Sequence, residues 1–133
     1  MANSTSTQIL LDGVRNCILR ISGTLDTSDI AQTVLIDPST LNYPPARLSL
    51  DGIEFSIQDT LAVNLWWDAT TPVQFDALTG RGKREKMYQF GGIWNNAGAG
   101  VTGKVLYATK GWATGAVLDF DLILRFIKRQ TPY

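Results

Sequence analysis

Two carboxylates, Asp119 and Asp121, stand two apart in the run from Leu118 to Phe126. On a strand that spacing turns both to one face, an arrangement found among glycosidase and metal-binding carboxylates. A hydrolase would gather two or more of Asp68, Asp76, Asp119 and Asp121 in one cleft. Arg125 shares the face of Asp119 and Asp121, with Ile123 between, so an outward polar face with acid–base pairing is the simpler account. Histidine, the usual general acid/base near neutral pH and the commonest metal ligand, is absent from the 133 residues. Cys17 is the single cysteine. It shares a strand face with Leu19 and Ile21 and has neither a disulfide partner nor a histidine to activate it, so it reads as a buried structural thiol. No catalytic, cofactor-binding or metal site is expected.

A second pattern, Gly98-Ala99-Gly100-Val101-Thr102-Gly103-Lys104, has the glycine and lysine spacing of a phosphate-binding loop. That loop needs Ser or Thr next, for magnesium, and a helix N-terminus for the phosphate. Here Val105 follows and the segment runs into a strand. A long glycine loop crossing one end of the domain is the better reading.

The remaining candidates are surface groups. Gly80-Arg81-Gly82-Lys83-Arg84-Glu85-Lys86 holds four of the twelve basic residues. It reads as a turn that is either simply solvated or a positive patch against an acidic neighbouring subunit. Trp94 and Trp112 lie among glycines in loops, where they either plug an open end of the fold or anchor a partner. Exposed tryptophans also keep a carbohydrate-binding module in view. The candidate interface residues are therefore Arg81, Lys83, Arg84, Lys86, Trp94 and Trp112. Basic and acidic residues balance at 12 each. A broad attraction to nucleic acid or to an anionic membrane is not expected.

These groups must be carried by strands. Cys17, Leu19 and Ile21 alternate, as do Leu61, Val63, Leu65 and Trp67, and Leu118 through Phe126. Leu48, Leu50, Ile53, Phe55 and Ile57 also alternate, but the phase slips at Asp51-Gly52, which predicts a β-bulge or tight bend. A strand is expected at Met87 to Phe90, after the basic turn. Asn42-Tyr43-Pro44-Pro45 must be an extended loop. Asp26 to Gln32 offers caps for one helical turn, and no longer helix is signalled. About eight short strands with frequent turns predict an all-β fold, an antiparallel two-sheet sandwich of jelly-roll type. Residues 1–7 are expected to form a flexible polar arm and residues 8–133 a single sandwich domain. The N-terminus lacks the basic and apolar regions of a signal peptide, and no apolar stretch approaches the roughly 20 residues of a membrane helix. Synthesis and folding in a host cytoplasm, with no membrane partner, are expected.

Three ordered segments carry a family likeness: Leu65-Trp66-Trp67-Asp68-Ala69-Thr70-Thr71-Pro72, then Gly80-Arg81-Gly82-Lys83, then Phe90-Gly91-Gly92-Ile93-Trp94-Asn95-Asn96 through Gly103. From about Leu11 to Lys128 the chain resembles small virion structural proteins of tailed bacteriophages. The resemblance implies a non-enzymatic capsid decoration (cement) protein, a homotrimer bound to the major capsid protein on the virion surface. A tail, neck or head-fibre component is the alternative. No catalytic or ligand-binding residues come with the likeness.

Overall fold

A computed structural model describes residues 3–58 and 60–130. Ten strands are found among them: β1 (Ser4–Asp12), β2 (Asn16–Leu25), β3 (Thr33–Ile36), β4 (Arg47–Ile57), β5 (Ala62–Trp67), β6 (Val73–Thr79), β7 (Arg81–Arg84), β8 (Ile93–Trp94), β9 (Val105–Lys110) and β10 (Leu118–Arg129). One sheet has the order β1-β2-β10-β4-β7, with β8 also on β4; the other has the order β3-β9-β5-β6. Every pairing is antiparallel.

Leaving out β1 and β8, the remaining eight strands pair outermost with outermost: β2 with β10, β3 with β9, β4 with β7, β5 with β6. This is the wrap of a jelly roll. The expected sandwich is therefore found, and the two extra strands are additions to the edges of the larger sheet.

Alternation explains the core. Leu19 and Ile21 of β2 and Leu122, Leu124 and Phe126 of β10 point inward against Val63, Leu65 and Trp67 of β5. Fully burying each such aliphatic side chain contributes about 1.5–3 kcal/mol before entropy is counted. Trp67 stacks on Phe75 at 3.9 Å and meets Phe126 edge-on at 6.4 Å. The slip at Asp51-Gly52 is a bulge: Arg125 faces Gly52 and Phe126 faces Leu50, so Asp51 is the extra residue. It keeps both halves of β4 in phase with the core.

Three expectations are corrected. Residues 4–7, assigned to a flexible arm, belong to β1 and pair with β2. Serine and threonine suit a strand that pairs through its backbone and buries little. Asn3 pins the start of the strand: its side chain accepts from the amides of Asp26 (2.8 Å) and Thr27 (3.0 Å) and donates to the Ser28 carbonyl (3.0 Å). Met1 and Ala2 lie outside the described residues. Next, Asp26 to Gln32 holds no helical turn; the short 3-10 turn is Pro38–Thr40, capped by Asp37, which accepts from the Ser39 amide at 3.1 Å. Last, the strand expected at Met87 to Phe90 is a 3-10 turn, and Arg81 to Arg84, read as a turn, is the strand.

The far end of β1 is fixed by a buried cation. Lys128 has no exposed side-chain surface. Its Nζ donates to Asp12 Oδ1 (2.6 Å), to the Gly13 carbonyl (2.6 Å) and to the Asn42 carbonyl. One ammonium thus ties the β1–β2 turn and the proline loop to β10.

Candidate functional site

The outer side of β4 is taken up in two pieces. Residues 53–56 pair with β7 and residues 49–50 with β8. Between them the chain leaves the sheet as the Met87–Phe90 turn, entered through Lys86 in the left-handed region (φ 54) and left through Gly91. Met87 is buried and seats this turn on the core. Gly92 then returns to β4 with φ 80, where a Cβ would lie 3.1 Å from the Leu50 carbonyl. A side chain there would meet both backbone strain and crowding.

This path collects the basic and aromatic groups on one edge. Arg81 and Lys83 lie opposite Ser56 and Glu54, and both are exposed. Lys83 pairs with Glu85 at 3.2 Å. Residues 82 and 84 take the other face. Gly82 lies under the Phe55 ring, 3.1 Å from its would-be Cβ. Arg84 reaches across the sandwich to the buried carboxylate of Asp76 on β6. Arg84 is thus a clamp between the sheets. Lys86 is exposed beside Tyr88 (57% exposed) and Phe90 (70%).

Trp94 is held rigidly. Its Nε1 donates to the Gly91 carbonyl at 2.6 Å. The guanidinium of Arg129 lies 4.6 Å from the ring centroid and that of Arg47 lies 5.8 Å away. Arg129 also donates to Ser49 Oγ at 2.9 Å and to the Gly91 carbonyl at 3.3 Å. Register explains the cluster: Arg129 stands opposite Arg47 in the β10–β4 pair, and Trp94 stands opposite Ser49. Two like charges side by side repel, and the π face of Trp94 offsets that by about 0.5–1 kcal/mol per cation at an exposed site.

Five of the six candidate residues therefore share one edge: Arg81, Lys83, Arg84, Lys86 and Trp94. Trp112 does not join them. It lies in the β9–β10 connection, packed against the core. Its Nε1 donates to the Ala116 carbonyl (2.9 Å) and its amide to Asp29 Oδ1 (3.2 Å). Trp112 and Trp94 are at opposite ends of β10, whose 12 residues span about 35 Å. Of the two roles expected for a loop tryptophan, Trp112 takes the plug. Arg47 and Arg129 were not among the sequence candidates. Neither adjoins Trp94 in the chain, and only the strand register reveals them.

No family model, no curated protein and no solved structure matches the chain.

Of the four candidate carboxylates, Asp119 and Asp121 line one open cleft together with Ser22, Thr24 and Gln58, whereas Asp68 and Asp76 lie elsewhere. Asp121 accepts two hydrogen bonds from Arg20 (3.0 and 2.8 Å), and Asp119 accepts from Thr24 (2.7 Å). Arg125 pairs with Glu54 at 2.9 Å instead of with the aspartates. Asp68 accepts from the Thr102 hydroxyl at 2.7 Å. The four carboxylates thus have four different partners, two on β2, one on β7 and one in the loop before β9. Among the described residues no three His, Cys, Asp or Glu gather as a metal set. The glycine loop is bound by its own chain: the Thr70 amide donates to the Ala99 carbonyl (3.1 Å) and the Thr102 amide to the Asp68 carbonyl (3.3 Å). It enters β9 directly, without a helix. A sugar-stacking platform of coplanar tryptophans is also missing among the described residues. Trp67 is core, Trp66 is half-buried on the outer face of the smaller sheet, Trp94 is covered by arginine and Trp112 closes one end. Cys17 is fully buried. Desolvation, with the Asp12 carboxylate adding to it against Lys128, pushes its thiol up to about 11.

Proposed function

We propose that the protein is a non-enzymatic structural subunit of a phage virion, a decoration protein of the capsid. In this reading it docks on the major capsid protein through the β7–β8 edge. The supporting observation is the convergence of Arg81, Lys83 and Lys86 with exposed Tyr88 and Phe90 and the fixed Trp94 along one sheet edge. Such an edge suits an acidic protein surface. Aromatic groups supply anchor area at low entropic cost, and rim cations supply steering and register. The chain has no net charge, so the attraction is local. The jelly-roll wrap is one that viral capsid domains also use. A subunit that bridges neighbouring capsid proteins adds contact area where internal pressure separates them.

Purified protein added to bare, expanded capsids should bind stoichiometrically and raise their disruption temperature. Binding should weaken as salt screens the basic edge. Absence of stoichiometric binding, or binding that leaves capsid stability unchanged, overturns the reading.

A further inference from the structure

The two sheets have four edges, and three are blunted. On the larger sheet, β7 carries Arg81, Lys83 and Arg84 and covers only part of β4. On the smaller sheet, β3 is four residues long and runs into Asp37-Pro38. β6 follows Pro72, lies across a bulge from β5 and turns the carboxylate of Asp76 inward. Cationic residues, proline, short length, bulges and inward charges are the devices that keep sheet edges from pairing with other chains.

β1 has only a bulge near its end, between Ile9 and Leu11. It is nine residues long, among the described residues it pairs with β2 on one side alone, and it has no proline and no charge from Ser4 to Leu11. In an antiparallel edge strand every second residue turns its N–H and C=O outward, leaving about four such residues here. Ile9 (48% exposed), on the face of Leu19, and Leu11 (45%), on the face of Ile18, flank the bulged Leu10 (46%), and Val14 (66%) is exposed at the turn. Asn3 at one end and Lys128 at the other hold the strand against β2. It is a fixed template, not a fraying end.

We propose that β1 is a self-association edge: two copies pair their β1 strands antiparallel about a two-fold axis, joining the larger sheets into one. The second copy is favoured over another partner by charge. In a two-fold contact each residue near the axis meets its own kind, so any charge there would repel itself. β1 carries none until Asp12, and that carboxylate is already bound by Lys128. With no net charge, two copies also lack long-range repulsion. Antiparallel pairing sets the hydroxyl half of each strand beside the apolar half of its mate. The contact closes as a dimer. A trimer would need a different, head-to-tail surface. The inference does not depend on the capsid reading, and either can fail alone.

Sedimentation of the full chain from roughly 1 to 200 µM tests it. The expected result is a shift with concentration from 14.6 kDa to twice that mass. Leu10→Lys should stay at the single mass with an unchanged circular dichroism spectrum. Hydrogen exchange on the unaltered chain is the second readout, with outward amides of β1 becoming protected as concentration rises. It remains decisive if Leu10→Lys fails to fold. A mass of 14.6 kDa at every concentration overturns the proposal. So does a dimer or trimer that survives Leu10→Lys, or concentration-dependent protection confined to other strands.

Discussion

The larger sheet ends in two unlike edges. On the β1 side a single long strand offers uncharged backbone and three exposed apolar residues around its bulge. On the β7–β8 side the edge is broken in two, bent through a 3-10 turn and studded with cations and aromatic rings. The first edge offers a row of backbone donors and acceptors that fits another strand, and its lack of charge admits a second copy of itself without repulsion. The second offers little free backbone but presents charge and rings at fixed positions. Edge composition thus separates two kinds of contact on one frame: pairing with the same chain through backbone, and docking on a different surface through side chains.

The largest expected effect breaks the β1 side at its root. Lys128→Met keeps the length of the side chain but leaves Asp12 and two carbonyls without their donor. Removing one partner from a buried pair costs about 3–5 kcal/mol, so chemical denaturation should show a loss of that order. Cys17 gives a local readout, since it lies opposite Asp12 in the β1–β2 pair. In the unaltered protein its buried thiol, raised to about 11, should resist alkylation at pH 8 until the chain unfolds. In Lys128→Met, labelling should precede global unfolding, because β1 opens first. If labelling and unfolding remain coincident, Lys128 holds the whole domain and not this edge in particular.

A smaller effect sharpens the same side through pH. Burial works to raise the Asp12 carboxyl. The hydrogen bonds from Lys128 and from the Asn42 amide, with the charge of Lys128, outweigh it and hold the group below its ordinary value of 3.8. A depressed acid stabilises the fold while ionised. Its contribution is whole above about pH 4 and is lost as pH falls through the lower folded value. Asp12→Asn should therefore lower stability at neutral pH and flatten the acid limb of the stability curve below pH 4. An acid limb as steep as that of the unaltered chain would assign the dependence to other carboxylates.

The two edges also differ in how legible they were. Strands with one buried face announce themselves by period-two alternation, and β10, β5 and the bulge at Asp51 were readable for that reason. β1 has no buried face, so its residues carry no alternation and resemble a loose arm. β7 is hidden differently. Its inward positions are Gly82, covered by Phe55, and Arg84, spent on Asp76, so no apolar pattern marks it. The clusters around Trp94 and Lys128 depend on register across strands far apart in sequence. Spacing along the chain holds no trace of them.

The smallest effect on the fold belongs to the other edge and completes the contrast. Lys83→Glu changes an exposed residue whose partners are the exposed Glu85, at 3.2 Å, and the facing Glu54. At this exposed site the lost pair and the new repulsion together cost about 1 kcal/mol or less, so the unfolding midpoint should fall only slightly. Three strands separate β7 from β1, so self-association should also be unchanged. Reversing one charge on the docking edge should nonetheless weaken attachment to capsids and reduce its salt dependence, because one favourable contact has become a repulsive one. A variant that self-associates normally but binds capsids poorly would assign the two contacts to separate edges. If Lys83→Glu instead abolished self-association and spared capsid binding, the assignment of the two edges would have to be exchanged.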